Sequence, residues 1–175
     1  MGAVTSAVGI DVGTTNTKVV LVGERGDSLL AAEPTPATLD DLIALVGRAL
    51  THLDAPVAAI GIAAMAESGF VLDADGAAIT PLLSWLDERD EAEMQAFARR
   101  AGADALFEAT GVRPGPKPPL ALWLSLRKHQ PGLFGARQRW AGVADAVALA
   151  LTGRLLTDHT LAGRTMAYRL PPAGA

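Results

Sequence analysis

The first 35 residues alternate short apolar runs with polar turns, a pattern that predicts β-strands. Residues 7–11 read AVGID and residues 18–22 read KVVLV, so both runs are largely apolar and the second is rich in β-branched valine. Glycine, threonine and asparagine fill the stretch between them, and these residues favour a tight turn. We therefore expect a hairpin of two strands, followed by a third strand over residues 28–33.

The pattern then changes from the period of a strand to that of a helix. Thr38 stands three residues before Asp41, which is the spacing of a capping box, and apolar residues follow three or four positions apart. This predicts a helix. The continuous apolar run over residues 57–65 then predicts a strand that is covered on both faces. The apolar helix positions are Leu39, Leu42, Ile43, Val46, Leu50 and Leu53.

The second half of the chain carries shorter signals. Residues 70–72 predict a short strand that leads into a turn at Gly76, where glycine can adopt a positive φ, and residues 81–89 predict a structured loop. The remaining predicted elements are helices over residues 91–101, 120–129 and 145–151 and a short strand over residues 139–143. Strands and helices thus share one chain, which indicates an α/β fold.

Composition limits the class of protein. The chain has 175 residues, of which 50% are hydrophobic and 19% charged, and its mean hydropathy is +0.27. Disordered chains have low hydrophobicity and high charge, so these values predict a globular fold instead. A chain of this length favours a single well-buried core.

Charge and cysteine content exclude several function classes. The net charge of −4 offers no basic footprint for nucleic acid, so we expect no nucleic-acid partner. The chain has no cysteine, which rules out disulfides, thiolate metal sites and cysteine nucleophiles and fits a reducing cytoplasm. No apolar run approaches the roughly 20 residues that span a bilayer, so we expect a soluble cytoplasmic protein without membrane contact.

The strongest chemical signal is the polar turn of the predicted hairpin, within the segment Gly9-Ile10-Asp11-Val12-Gly13-Thr14-Thr15-Asn16-Thr17-Lys18. Glycine lets the backbone come close to a ligand, successive turn amides can form an anion-binding nest, and Thr14, Thr15 and Asn16 add side-chain donors. Phosphate suits such a site. Asp11 would repel a bare phosphate but attracts it through a hard cation, so magnesium is implied. A polar turn without any ligand is the plain alternative.

Two common phosphate motifs do not fit this segment. It lacks the Gly-Lys-Ser/Thr of a P-loop and the Gly-x-Gly-x-x-Gly of a dinucleotide fold. Both of those motifs lead into a helix, whereas here the β-branched run over residues 18–22 follows. The phosphate cradle must therefore be a hairpin loop.

A strand, Asp-x-Gly-Thr-Thr-Asn-x-Lys and a second strand resemble the first phosphate loop of the superfamily that joins actin, the large heat-shock chaperones, hexokinases and FGGY carbohydrate kinases. Three further stretches resemble the FGGY family in particular, and the resemblance runs from about residue 7 to residue 170. They are residues 59–68 with Asp73 to Gly76 after them, Trp85-x-Asp87-x-Arg89, and residues 157–166. The resemblance implies an α/β, ribonuclease H-like (actin-like ATPase) domain with a mixed sheet flanked by helices.

For function, the resemblance implies ATP-dependent phosphorylation of a sugar or polyol hydroxyl. The implied magnesium residue is Asp11, the residues for the nucleotide phosphates are Gly13, Thr14, Thr15, Asn16 and Lys18, and those for the sugar are Glu67, Trp85, Asp87 and Arg89. Trp85 would pack its ring on sugar C–H bonds, while Asp87 and Arg89 would orient the loop that binds hydroxyls. The plain alternatives are a core tryptophan and a surface ion pair.

Some residues depart from the family pattern. Glycerol kinases carry Gln-Arg-Glu and xylulose kinases carry Gln-Met-His-Gly where this chain reads Met65-Ala66-Glu67-Ser68, so the sugar stays unassigned. Lys117 lies in a Pro-Lys segment similar to that of the family, but a solvated lysine is an equal alternative. The three histidines show neither ligand spacing nor a carboxylate partner in the sequence, so we expect surface or satisfied side chains.

The family resemblance also implies missing parts. Such kinases have two α/β domains, and the general base and adenosine pocket lie beyond the region matched here. We therefore expect residues 1–175 to be a single, truncated N-terminal domain whose C-terminal nucleotide domain is absent and which is inactive alone. The sequence leaves open a C-terminal kinase domain, a second chain or a homo-oligomer as partner. A non-catalytic sugar-binding or regulatory domain is the alternative, while Trp85-x-Asp87-x-Arg89 disfavours an actin-like or chaperone-like switch.

Overall fold

The computed structural model describes residues 6–24, 26–54, 56–86, 91–133 and 135–171. Among the helices in these ranges, none combines the length and apolar character needed to cross a lipid bilayer.

Contacts within the chain define two compact units. Unit 1 comprises residues 1–65 and 143–155, and unit 2 comprises residues 66–142 and 156–175. Chain length favoured a single core and did not indicate this division into two units. The reason lies in the connectivity, because the chain leaves unit 1 after residue 65 and returns to it only for one helix.

Unit 1 is built on a mixed four-stranded sheet. Its strands are β1 (Ala7–Val12), β2 (Asn16–Val22), β3 (Ser28–Pro34) and β4 (Ala59–Ala64), in the order β3-β2-β1-β4. The β1–β2 and β2–β3 pairs are antiparallel, whereas β1 and β4 are parallel. The predicted hairpin and third strand are thus present.

One face of this sheet is buried under two helices. Val8, Ile10 and Val12 alternate along β1 and are almost fully buried, as strand period requires. Helix α1 (Leu39–Leu50) contacts β3 and helix α5 (Val143–Thr152) contacts β4. The predicted start of α1 is confirmed, because the Asp41 amide donates to the Thr38 hydroxyl oxygen at 3.2 Å.

The prediction that the apolar run over residues 57–65 is covered on both faces is wrong. Ala59, Ile60, Gly61 and Ala63 are exposed in β4. The strand stands last in the sheet order, so its outer edge has no strand partner within the described residues. Apolar composition alone does not distinguish an edge strand from a central one.

Unit 2 contains a two-stranded antiparallel sheet of β5 (Gly69–Leu72) and β6 (Arg139–Gly142). All four residues of β5 are buried. A Cβ on Gly69 would lie 2.2 Å from the carbonyl oxygen of Ala141, so only glycine permits this close pairing. The turn after β5 has the positive φ predicted at Gly76, at 89°.

The described part of unit 2 also contains four helices and a short 3-10 turn. They are α2 (Glu91–Ala101), α3 (Ala103–Thr110), α4 (Pro119–His129), the 3-10 turn Pro131–Leu133 and α6 (His159–Arg164). Helices α2 and α4 were predicted, whereas α3 and α6 were not. Both missed helices are short, and α3 lies between two glycines with positive φ, Gly102 and Gly111, which as a sequence pattern favour turns.

Two histidines have partners that the sequence did not show. His129 Nε2 lies 2.9 Å from Glu93 Oε1, and Lys128 Nζ donates to both oxygens of the same carboxylate at 2.9 and 3.1 Å. The hydrogen bonds from Lys128 and then His129 hold the pKa of Glu93 below its usual value. His159 Nδ1 lies 3.1 Å from the Tyr168 hydroxyl. The Glu93 contacts join helices α2 and α4 across 35 and 36 positions, whereas His159 and Tyr168 are nine positions apart.

Candidate functional site

The loop between β1 and β2 is closed by its own backbone. The Gly13 amide donates to the carbonyl oxygen of Asn16 at 3.0 Å. A Cβ on Gly13 would stand 3.0 Å from that same oxygen, tighter than ordinary packing allows. Glycine therefore avoids a tight contact that a side chain would make within the turn. The Gly13 amide is engaged in the turn, so the predicted nest of turn amides does not include it.

Thr35, which directly follows β3, braces this loop. Its hydroxyl donates to the Gly13 carbonyl at 2.7 Å and lies 3.0 Å from the Thr17 hydroxyl oxygen, while its amide donates to the Thr15 carbonyl at 3.0 Å. The loop conformation is thus fixed from a third strand. Sequence reasoning missed Thr35, and its only signal was a lone threonine between two prolines.

The polar side chains of the loop face solvent. Thr14, Thr15 and Asn16 are exposed at its tip. Asp11 and Lys18 are opposite each other in the β1–β2 register and are also exposed, so both lie on the same face of the hairpin. In the described part of the chain, no ion pair involves either one. Hydroxyl, amide, ammonium and carboxylate groups are therefore all exposed to solvent in this segment.

An open space lies beside Asp11 on the sheet. A shallow depression of about 380 Å³ is lined by Gly9, Ile10, Asp11, Val20, Gly61, Ile62 and Ala63. At Gly9 and Gly61 an added Cβ would meet no atom within 4 Å, so the backbone stays open there. The described residues contain no group of three or more acidic, histidine or cysteine ligands. The exposed Asp11 carboxylate is the one charged group in this otherwise apolar lining, and it fits magnesium, which keeps several waters and takes one or two carboxylates plus phosphate.

In unit 2, Ser68 links two of the predicted sugar residues. Ser68 is fully buried, and its hydroxyl oxygen accepts a hydrogen bond from the Trp85 amide at 3.0 Å. Gly69 and Leu83 also exchange backbone hydrogen bonds, at 3.1 and 2.9 Å. These contacts hold the loop of Trp85 beside the residue that follows Glu67. The backbone at Trp85 is therefore held next to the residue that follows Glu67, although Glu67 and Trp85 are 18 positions apart in sequence.

Glu67 and Trp85 each have a cationic neighbour. Arg164 donates from Nε to Glu67 Oε1 at 2.7 Å and from Nη2 to the same oxygen. Lys117 places Nζ 4.7 Å from the centre of the Trp85 ring, within cation–π range. The Lys117 side chain, left undecided by sequence, thus lies against a predicted sugar residue. Arg164 was part of a recognised stretch but had no assigned role. Asp87 and Arg89 lie outside the described residues, so their roles stay predictions.

Comparison with known proteins identifies the family. The sequence pattern of the FGGY family of carbohydrate kinases, N-terminal domain, matches residues 37–171, which is most of the chain. The chain belongs to the FGGY family. The recognition made from the phosphate loop and the three further stretches is therefore confirmed.

Two similar proteins are a gluconokinase and a xylulose kinase. The chain is 22% identical to gluconokinase of Bacillus subtilis (strain 168) over 174 residues, and 26% identical to xylulose kinase of Escherichia coli (strain K12) over 177 residues. These matches cover 90% and 91% of this chain but 34% and 36% of the relatives. The chain thus spans about a third of the length of these FGGY kinases.

Solved structures show the fold. Gluconate kinase from Lactobacillus acidophilus matches with a TM-score of 0.81 at 25% identity, over 94% of this chain and 36% of that one. A ligand-bound xylulose kinase from the same organism matches with a TM-score of 0.82 at 24% identity, over 93% of this chain and 36% of that one. The predicted actin-like ATPase fold with a mixed sheet is confirmed, and it corresponds to the N-terminal part of these FGGY kinases.

Proposed function

We propose that this chain provides the phosphate loop and the sugar-contacting residues of an ATP-dependent carbohydrate kinase. The observation that carries the proposal is the braced β1–β2 loop, which presents Asp11, Lys18 and the side chains of residues 14–16 on an FGGY fold. The relatives are a gluconokinase and a xylulose kinase, and the reaction of the whole protein is proposed from them by analogy.

In the proposed reaction, the loop binds and orients the transferring phosphates of ATP. The hydroxyls of Thr14 and Thr15 and the amide of Asn16 donate to phosphate oxygens, while the Lys18 ammonium offsets their charge. Gly13 shapes the turn rather than binding through its amide. Asp11 would hold magnesium directly or through water, and the ion would supply positive charge that offsets the repulsion between this carboxylate and the phosphates.

The sugar is proposed to bind at Glu67 and Trp85. The Glu67 carboxylate accepts a hydrogen bond from a sugar hydroxyl, and the Trp85 indole packs against C–H bonds of the sugar. Lys117 steadies the ring from one side at 4.7 Å. Asp87 and Arg89 are proposed to orient the same loop. We assign no general base to this chain, so catalysis here means binding and positioning of the two substrates.

Sugar binding can be tested on this chain by tryptophan emission. Trp123 and Trp140 are the other emitters, with ring centres 5.8 Å apart, and each is replaced by Phe to isolate Trp85. Millimolar affinity corresponds to only about −4 kcal/mol, so ketoses, aldoses, aldonates and polyols are titrated to high millimolar concentration. We expect a saturable change in Trp85 emission with at least one of them.

The matched control is the same protein with Trp85 also replaced by Phe, which should lose the response. Asp87→Ala in the Trp85-only protein should abolish the response if that carboxylate orients the loop. The absence of a saturable change with every sugar would remove Trp85 from the site.

A further inference from the structure

The ion pair between Arg164 and Glu67 differs from an ordinary surface pair. Two nitrogens of the guanidinium, Nε and Nη2, donate to the single oxygen Oε1 of Glu67. The Glu67 side chain is only 15% exposed, although Arg164 is 57% exposed. By contrast, Arg48 donates one hydrogen bond to Glu33, and both side chains are about half exposed or more, at 61% and 48%. Two donors that converge on one oxygen of a mostly buried carboxylate restrain the position of that oxygen.

The second oxygen of Glu67 is left for another donor. Within the described residues, no protein group donates a hydrogen bond to Oε2. An ionised carboxylate has acceptor capacity on both oxygens, so one side of Glu67 is occupied by Arg164 and the other can accept a hydroxyl. Glu67 directly precedes Ser68, which holds the Trp85 loop. Glu67 Oε2 therefore lies in the part of unit 2 where sugar contact is proposed.

Arg164 is the last residue of helix α6, and this helix is anchored at both ends. Asp158 caps the first turn by accepting the amides of Thr160 and Leu161 at 2.6 and 3.0 Å. After the helix, the Thr165 carbonyl accepts the Leu120 amide of α4 at 3.1 Å. Met166 then adopts a positive φ of 62°.

A positive φ is costly for methionine and persists only where the surroundings require it. Met166 is 2% exposed and packs in a cluster with Met94 and Ala121. The backbone that carries Arg164 is thus anchored in the core of unit 2, as a residue with a positioning role requires.

The geometry points to Arg164 as a positioning residue for sugar recognition. It holds Glu67 through Oε1 so that Oε2 accepts one sugar hydroxyl. This inference rests on the proposed function, because it presumes that a sugar binds at Glu67. It adds a residue 97 positions away in sequence and predicts which property depends on it: discrimination between a sugar and the analogue that lacks one hydroxyl.

The test measures dissociation constants on this chain for the sugar that binds the wild type most tightly and for its monodeoxy analogues. One analogue should bind the wild type about tenfold or more weakly, because the carboxylate loses its hydroxyl partner. In Glu67→Ala and in Arg164→Ala, the parent sugar should weaken by a similar factor, and the parent and that analogue should then bind alike. Arg164→Lys should recover part of the affinity, since an ammonium keeps the charge but not the two donor nitrogens of the guanidinium.

Arg48→Ala and Arg169→Ala are matched controls, since the first removes the exposed Arg48–Glu33 pair and the second an exposed arginine. Both should retain the affinity and the discrimination of the wild type. The double variant Glu67→Ala/Arg164→Ala should be no worse than either single one. Circular dichroism shows whether Arg164→Ala folds. If it does not, the ratio of the dissociation constants for the analogue and the parent sugar in Arg164→Lys tests the positioning role, because both constants are measured on one folded protein.

Wild-type discrimination in every folded Arg164 variant would overturn the positioning role while leaving sugar binding intact. A wild-type chain that binds no sugar would overturn the proposed function and the role of Arg164 with it.

Discussion

Gly13 occupies the tightest point of the β1–β2 loop, so it is the residue at which a side chain should do most harm. In Gly13→Val, the new Cβ would lie 3.0 Å from the Asn16 carbonyl oxygen, and the loop must open to relieve the contact. We expect affinity for magnesium ATP, measured by calorimetry, to fall about tenfold or more. Gly47→Ala is the control, because a Cβ there meets no atom within 4 Å and should leave binding unchanged. Equal affinity in the two variants would show that the loop does not bind phosphate.

Replacing Asp11 should change the affinity for ATP differently with and without magnesium. Asp11→Asn keeps the shape of the side chain but removes its charge. Affinity for magnesium ATP should fall, whereas affinity for ATP without magnesium should stay equal or rise, because the carboxylate no longer repels the phosphates. The affinity for magnesium ATP divided by the affinity for ATP alone is therefore smaller in Asp11→Asn than in the wild type. The exposed Asp27→Asn should keep the wild-type ratio. A ratio unchanged by Asp11→Asn would exclude this carboxylate from the metal site.

At the level of single elements, helix α6 links stability to pH. The side-chain hydrogen bond from Thr160, followed by the backbone hydrogen bond from Leu161, lowers the pKa of Asp158 below its usual 3.8. A lowered pKa in the folded state stabilises the fold above the unfolded value and loses that contribution as pH falls. Asp158→Ala should cost about 0.5–1 kcal/mol at pH 7, at the lower end for an exposed cap, and less near pH 2. Urea unfolding at both pH values measures this.

The exposed Asp54, which caps no helix, provides the control in Asp54→Ala. Its loss should change the free energy of unfolding little at either pH. A pH-independent cost of Asp158→Ala would mean that the carboxylate charge contributes nothing to the cap.

Elements with strong local signals could be predicted from the sequence. The Thr38 cap and the helical period define α1, and the β-branched run after the polar turn defines the hairpin. Helices α3 and α6 have eight and six residues, which is too short for a clear helical period. The exposure of β4 depends on which strand stands at the sheet edge, and this is a tertiary property. Local pattern therefore predicts elements better than their surroundings.

The same distinction applies to the candidate site. The phosphate loop could be found because its residues are contiguous between Asp11 and Lys18. The contacts of Thr35 with Gly13 and of Arg164 with Glu67 join residues 22 and 97 positions apart. No local pattern encodes such a pairing, and the sequence showed only that Arg164 belongs to a family stretch.

At the scale of the whole molecule, the expected activity of residues 1–175 alone is none. The chain spans about a third of the length of its kinase relatives, and none of its residues is assigned as general base. Purified chain with magnesium, ATP and a panel of sugars should therefore release no sugar-dependent ADP in a coupled assay. Robust turnover would refute the proposal that the chain only binds and positions. The non-catalytic alternative makes the same prediction here, but also predicts no turnover for any longer form.

The proposal that unit 1 binds the nucleotide phosphates and unit 2 binds the sugar can be tested most directly by NMR, from the amide resonances of the isotope-labelled chain. Magnesium with a non-hydrolysable ATP analogue should produce saturable shifts at residues 13–18, and a bound sugar should produce them at Glu67, Ser68, Trp85 and Arg164. Gly13→Val should abolish the first set and keep the second. Two results would contradict the proposed function. One is saturable shifts only at residues outside these two sets, and the other is no shift with either ligand at high millimolar concentration.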